Sequence, residues 1–196
     1  VAFGTSAPEL AVSTTASLAG SNEIAVGNVI GSNLFNLLVV LGCCGVIRPF
    51  AVQLRWDYAA SVGVALVLFF MVVDSAKDIA LSFGLSQTLV GLTVVALGTS
   101  PPELVTSVVA SRKGENGLAL GNVIGSNIFN VLMVLAASAA VHPIAVTSFS
   151  VIDTVCLIVA SVVTWVLCRS KLRISRGEGL AMLAMYAGYL VYICIR

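Results

Sequence analysis

Ala96-Leu97-Gly98-Thr99-Ser100-Pro101-Pro102-Glu103, followed by Gly121-Asn122-Val123-Ile124-Gly125-Ser126-Asn127-Ile128-Phe129-Asn130, is the stretch that decides how the rest of the chain is read. Glu103 sits in an otherwise apolar run. A carboxylate inside a bilayer costs on the order of a few kcal/mol, so it marks a functional site by default. Thr99 and Ser100 precede it by four and three residues, so on one continuous helix all three oxygens share a face. Pro101 and Pro102 remove backbone donors, and Gly98 loosens the same turn. Carbonyls freed there are tolerated in a membrane only where they line a cavity or bind an ion. Clustered carboxylate, hydroxyl and carbonyl oxygens suit hard cations such as Ca2+ and Na+.

The stretch occurs twice. Ala2-Phe3-Gly4-Thr5-Ser6-Ala7-Pro8-Glu9 matches Ala96 to Glu103, and Gly27-Asn28-Val29-Ile30-Gly31-Ser32-Asn33-Leu34-Phe35-Asn36 matches Gly121 to Asn130. The offset is constant, and about 25 of roughly 40 aligned positions are identical, far above chance for an internal repeat. A duplicated polar motif inside apolar segments is the pattern of secondary transporters, whose sites form where two repeats meet near the midplane.

Composition sets the solvent. The 196 residues are 59% hydrophobic and only 10% charged, with a mean hydropathy of +1.06. A soluble domain carries roughly a quarter charged residues. The apolar runs are too long for core strands and lack the alternation of an outer-membrane barrel, so the expected class is an all-α membrane protein in a lipid bilayer. A formal net charge of +1 gives no basic patch for a nucleic-acid partner. Cys43, Cys44, Cys156, Cys168 and Cys194 lie within or at the ends of apolar spans, with no CxxC or Cys/His spacing, and read as structural thiols. No signal peptide, cofactor motif or enzyme motif is visible, and His142, before Pro143, reads as a loop residue.

Seven spans are expected, over residues 1–18, 24–47, 54–73, 87–111, 118–141, 148–168 and 178–195. In the second span Asn28, Ser32 and Asn36 form a polar stripe at i, i+4 and i+8, and Gly27 and Gly31 allow close helix approach. The alternative reading of that span is a packing helix whose amides bond across the interface. The segment 74–84 is too short and too charged to cross alone. Nothing after the third span matches residues 168–196, and nothing before Val1 matches residues 74–95. The expectation is therefore a fragment, with residues missing before Val1 and between Val73 and Asp74. It divides into a truncated first half, 1–73, and a second half, 74–196, together one transmembrane domain.

With seven alternating spans, Arg48, Arg55, Arg112, Lys113, Arg169, Lys171, Arg173 and Arg176 fall on one side, and only Lys77 and Arg196 on the other. The positive-inside rule makes loops 48–55, 112–113 and 169–176 cytoplasmic and the C-terminus external. The two acidic helices then run in opposite directions. That is an inverted-topology repeat, the architecture of alternating access.

The paired motifs GTSAPEL with GNVIGSNLFN and GTSPPEL with GNVIGSNIFN resemble the two alpha repeats of the sodium/calcium exchanger family of cation/calcium antiporters. The resemblance covers both halves, including the basic loop and Gly177-Glu178-Gly179. It implies a ten-helix fold, of which seven spans are present here, including the four ion-coordinating helices. It implies that Glu9 and Glu103 are the central carboxylates for Ca2+ and share in Na+ binding. Thr5, Ser6, Thr99 and Ser100 then supply oxygens, Ala2 and Ala96 backbone carbonyls, and Ser32, Asn36, Ser126 and Asn130 complete the cage. Many family members have Asp where Asn130 stands; the neutral amide removes a charge and makes the halves more alike.

The expected function is an antiporter exchanging Ca2+ for Na+ by alternating access, with no cofactor and no enzymatic activity. Two glutamates balance one Ca2+, and hydroxyl and amide oxygens approach its usual six to eight ligands. Proton- or potassium-coupled exchange is the alternative within the same cage. A passive cation channel fits less well, because channels place selectivity rings around an oligomeric axis.

Overall fold

A computed structural model describes residues 1–51, 91–144, 148–171 and 173–195. The expected third span at 54–73, the charged segment 74–84, the expected break between Val73 and Asp74 and the start of the fourth span lie outside the described residues.

The first motif forms α1, Ala2–Thr5, and α2, Ala7–Leu18. The expected continuous helix over 1–18 is broken at Ser6, whose φ of −89° and ψ of 10° fall in the sparsely populated bridge region. Pro8 is the cause: it starts a helix readily but cannot continue one, because it has no N–H to donate. The second motif repeats the break. α4 joins a π-helical turn, Gly91–Val95, to Ala96–Thr99, and α5, Pro101–Lys113, begins after Ser100 at φ −91° and ψ 5°. Gly114, at φ +87°, ends α5 in the left-handed conformation that favours glycine.

Between and after these broken helices stand the long ones. They are α3, Asn22–Ile47; α6, Asn116–Val141; α7, Ser148–Lys171; and α8, Arg176–Ile195. Each contains a stretch long and apolar enough to cross a membrane. Apart from two two-residue strands, the described elements are helical, and the protein is an all-α integral membrane protein. The strands, β1 at Phe50–Ala51 and β2 at Arg173–Ile174, pair antiparallel with Phe50 opposite Ile174. Both of those side chains are buried, so the pair tethers the end of α3 to the α7–α8 turn.

The sequence places the start of α8 at Glu178, and the structure places it two residues earlier. A capping box accounts for this: the Glu178 carboxylate accepts from the Ser175 N–H at 2.7 Å and from the Ser175 hydroxyl at 2.8 Å.

α3 is the most enclosed long helix. It packs on α2, α4, α7 and α8, while its repeat copy α6 packs on α1, α5 and α3 itself. Glycine permits the closest approaches. A Cβ on Gly31 would lie 2.6 Å from the Leu92 carbonyl oxygen, and one on Gly179 2.6 Å from the Gly42 carbonyl oxygen. α3 and α6 also touch at their far ends, where the Asn22 amide donates to the Pro143 carbonyl at 2.6 Å and meets His142 Nδ1 at 2.8 Å. His142 thus lies just past α6, as a loop residue should. The five cysteines are free thiols; Cys44 and Cys168 are buried, Cys43 and Cys156 half-buried, and Cys194 exposed.

Candidate functional site

The helix breaks change which hydroxyl serves which carboxylate. On continuous helices Ser6 would sit over Glu9, and Ser100 over Glu103. In the structure Ser6 Oγ donates to Glu103 Oε1 at 2.8 Å, and Ser100 Oγ donates to Glu9 Oε1 at 3.0 Å. The turn at each serine swings its hydroxyl away from its own helix and into the other repeat. Ser126 Oγ adds a second bond to Glu103 Oε1 at 3.4 Å. As the residue number rises on one acidic segment it falls on the other, so the two segments run antiparallel where they meet.

Each contact in one direction has its counterpart. Thr5 Oγ1 donates to Asn122 Oδ1, and Thr99 Oγ1 to Asn28 Oδ1, both at 3.2 Å. Asn122 Nδ2 donates to Ser107 Oγ and to the Glu103 carbonyl; Asn28 Nδ2 donates to Ser13 Oγ and to the Glu9 carbonyl. Reciprocal pairs of this kind are what an approximate two-fold axis produces. The symmetry fails at Ser32, whose Oγ turns to Asn28 Oδ1 at 3.3 Å instead of to Glu9.

Asn36 and Asn130 stand where each long helix widens into a π turn, Phe35–Val40 in α3 and Asn130–Leu135 in α6. Such turns are frequent at functional sites. The sequence predicts uninterrupted helices there; an i→i+5 turn leaves no mark on hydropathy. Asn36 Nδ2 donates to Asn127 Oδ1, and Asn130 Nδ2 to Asn33 Oδ1, both at 3.1 Å.

The residues that sequence reasoning left outside the cage are therefore Asn28, Asn33, Asn122 and Asn127, which link its members, and Ser13 and Ser107. A signal existed for all six. The asparagines repeat with the motif, and each of the two serines falls four residues after its glutamate.

Glu9, Glu103, Ser6, Ser32, Ser100, Ser126, Asn36 and Asn130 are all fully buried, and Thr99 nearly so. Of the nine buried side-chain oxygens without a hydrogen-bond partner among the described residues, four belong to the cage: Glu9 Oε2, Glu103 Oε2, Asn36 Oδ1 and Asn130 Oδ1. Buried polar atoms are nearly always bonded, and an orphan calls for a partner the protein does not itself supply. Two buried carboxylates further require positive charge. Among the described residues no cluster of three His, Cys, Asp or Glu exists. The donor set is thus oxygen alone and mostly neutral, which fits hard cations and not soft transition metals. The Ala2 and Ala96 carbonyls are less free: each already accepts the backbone N–H of its serine, and the threonine hydroxyl, whose one proton is shared with the facing asparagine, lies 3.2 Å from the first and 3.5 Å from the second.

Comparison with known proteins points the same way. The profile of the sodium/calcium exchanger protein family matches residues 1–73 and 58–195. The putative antiporter CaxA of Alkalimonas amylolytica is 31% identical, over 96% of this chain and 84% of its own length. The inner membrane protein YrbG of Escherichia coli is 30% identical, over the whole chain and 83% of its own length. Those alignments run over 268 and 274 positions, longer than the 196-residue chain, so both relatives carry residues with no counterpart here. The solved structure of the sodium-calcium exchanger NCX_Mj soaked with 2.5 mM Na+ and 0.1 mM Ca2+ superposes with a TM-score of 0.77 at 26% identity, over 97% of this chain and 83% of that one.

Proposed function

The chain belongs to the sodium/calcium exchanger family, and from that premise we propose that it is an antiporter moving Ca2+ against Na+, with both ions bound in turn between the two repeats. The observation that carries the reading is the crossed pair Ser6–Glu103 and Ser100–Glu9, each carboxylate fully buried with one oxygen unclaimed.

The two glutamates balance the charge of one Ca2+. The orphaned Asn36 and Asn130 oxygens and the hydroxyls of Thr5, Ser6, Ser32, Thr99, Ser100 and Ser126 supply neutral ligands. The Ala2 and Ala96 carbonyls, each already accepting one backbone N–H, have one lone pair left to offer while the threonine hydroxyls donate to the asparagines. Na+ uses the same oxygens with less demand for charge. An empty site leaves two carboxylates uncompensated in low dielectric, which opposes reorientation without cargo, and ion exchange follows from that penalty. Since each carboxylate is bonded to a serine of the opposite repeat, an ion joining both glutamates is felt by both halves at once.

The proposed setting is a cytoplasmic or inner membrane, with loops 48–55, 112–113 and 169–176 inside and the C-terminus outside. The proposed division is 1–73 and 74–196. The test is uptake of radiolabelled Ca2+ into vesicles carrying the purified protein, with and without an outward Na+ gradient. Uptake that needs the gradient is expected. Uptake driven instead by K+ or protons would move the protein to that coupling, and uptake down the Ca2+ gradient alone would make it a channel.

A further inference from the structure

We propose that Asn33 and Asn127 are positioning residues: each fixes which way the opposite repeat's ligand amide points, Asn33 for Asn130 and Asn127 for Asn36. The inference rests on the reading of Asn36 and Asn130 as ion ligands.

A backbone carbonyl only accepts hydrogen bonds. Asn33 Nδ2 lies 3.3 Å from the Asn127 carbonyl oxygen, and Asn127 Nδ2 lies 3.2 Å from the Asn33 carbonyl oxygen. The atoms facing those carbonyls must therefore be the amide nitrogens. That leaves Asn33 Oδ1 facing Asn130 at 3.1 Å and Asn127 Oδ1 facing Asn36 at 3.1 Å. Each of these oxygens demands a donor, so Asn130 and Asn36 must turn their nitrogens toward it. Their own oxygens then point elsewhere, buried and without a partner. Neither ligand amide can flip without setting acceptor against acceptor. The chain of constraint runs from backbone to asparagine to ligand, once on each side of the two-fold. Outer partners of metal ligands act this way in general, and losing one costs about tenfold to a hundredfold in metal affinity.

The pairing also requires a donor at position 130. A carboxylate there would face Asn33 Oδ1, acceptor against acceptor, so the amide that removes a charge from this cage is the group its neighbour can hold.

The two arms are separable by design of the bonds. Asn127 is anchored on the backbone carbonyl of Asn33, which survives Asn33→Ala. That substitution should release Asn130 and leave Asn36 held. Ca2+ binding to the purified protein, measured by titration calorimetry, reads the result. Asn33→Ala is expected to weaken Ca2+ binding about tenfold or more. In the Asn130→Ala background it should add nothing further, whereas in the Asn36→Ala background its full effect should persist. Asn127→Ala should show the mirrored pattern, silent with Asn36→Ala and additive with Asn130→Ala. A purely structural role would give additive losses in every background and would overturn the proposal. So would failure of both Asn33→Ala and Asn127→Ala to yield monodisperse protein, which would assign the pair to folding. If Asn130→Ala and Asn36→Ala themselves leave Ca2+ binding intact, the ligand assignment fails first.

Discussion

At the scale of the residue, the protein's central device is a carboxylate whose hydroxyl partner comes from the other repeat. Glu103 accepts from Ser6 and Ser126, and Glu9 accepts from Ser100. Glu103→Gln keeps the volume and one oxygen but removes the charge that balances a divalent ion. An uncompensated charge in a buried site costs about 3 kcal/mol, so Ca2+ binding and exchange should fall more than a hundredfold. Glu9→Gln should behave alike. Ser6→Ala removes a single bond to a charged acceptor, worth about 1.5 kcal/mol, and should weaken exchange about tenfold. Gradient-driven Ca2+ flux checks all three, with monodispersity in detergent as the folding control. Normal flux from folded Glu103→Gln protein would make that carboxylate structural. The glutamates and serines were legible in the sequence because they are polar, repeated and set in apolar surroundings. Their crossed pairing was not. Spacing on a helix groups Ser100 with Glu103, and only the break at Ser100 reveals that its hydroxyl serves Glu9.

At the scale of the element, two kinds of irregularity build the site: the serine breaks and the π turns. Pro8, Pro101 and Pro102 announce the breaks, whereas nothing in the composition of Phe35–Val40 or Asn130–Leu135 announces a π turn. Side-chain hydropathy is the same for a turn closed at i+4 or i+5, so that feature belongs to packing. Glycine shows the same division. Each copy of the motif carries a GxxxG; Gly31 is the second glycine of the first, matched by Gly125, and Gly121 is the first glycine of the second. In the structure a Cβ on Gly31 would collide with the Leu92 carbonyl oxygen at 2.6 Å and with Ala96 Cβ at 2.8 Å, whereas one on Gly121 meets nothing within 4 Å. The Leu92 carbonyl is backbone and cannot turn aside. Gly31→Ala should therefore push α4 off α3 and destabilise the protein by about 1–3 kcal/mol. Gly121→Ala should be neutral, within about 0.5 kcal/mol. Thermal unfolding of the two variants in the same detergent compares them directly. Equal melting temperatures would mean that the α3–α4 contact is slack.

At the scale of the whole molecule, the governing fact is that two copies of one sequence face each other in opposite senses. Apolar length alone placed the four long helices, but it could not see that the acidic segments are broken, nor that α3 is far more enclosed than its copy α6. Enclosure depends on what else packs nearby, and the repeat itself carries no record of that. The opposite senses of the copies can be tested without any assumption about ions. Leu18 and Arg112 occupy the same position in the two copies, each in the last turn of an acidic helix, and both are exposed. In parallel copies these positions would lie on the same side of the membrane. In inverted copies they lie on opposite sides. The five free thiols permit a background in which Cys43, Cys44, Cys156, Cys168 and Cys194 are replaced, so that a single introduced cysteine reports alone. In the proposed orientation, with the basic loops inside, Leu18→Cys should then react with a membrane-impermeant maleimide added outside intact cells. Arg112→Cys should react only after the membrane is permeabilised. Reversal of the two would invert the assigned orientation and leave the architecture standing. Labelling of both from one side would mean that the copies run parallel, and a site shared by two oppositely directed halves could not form.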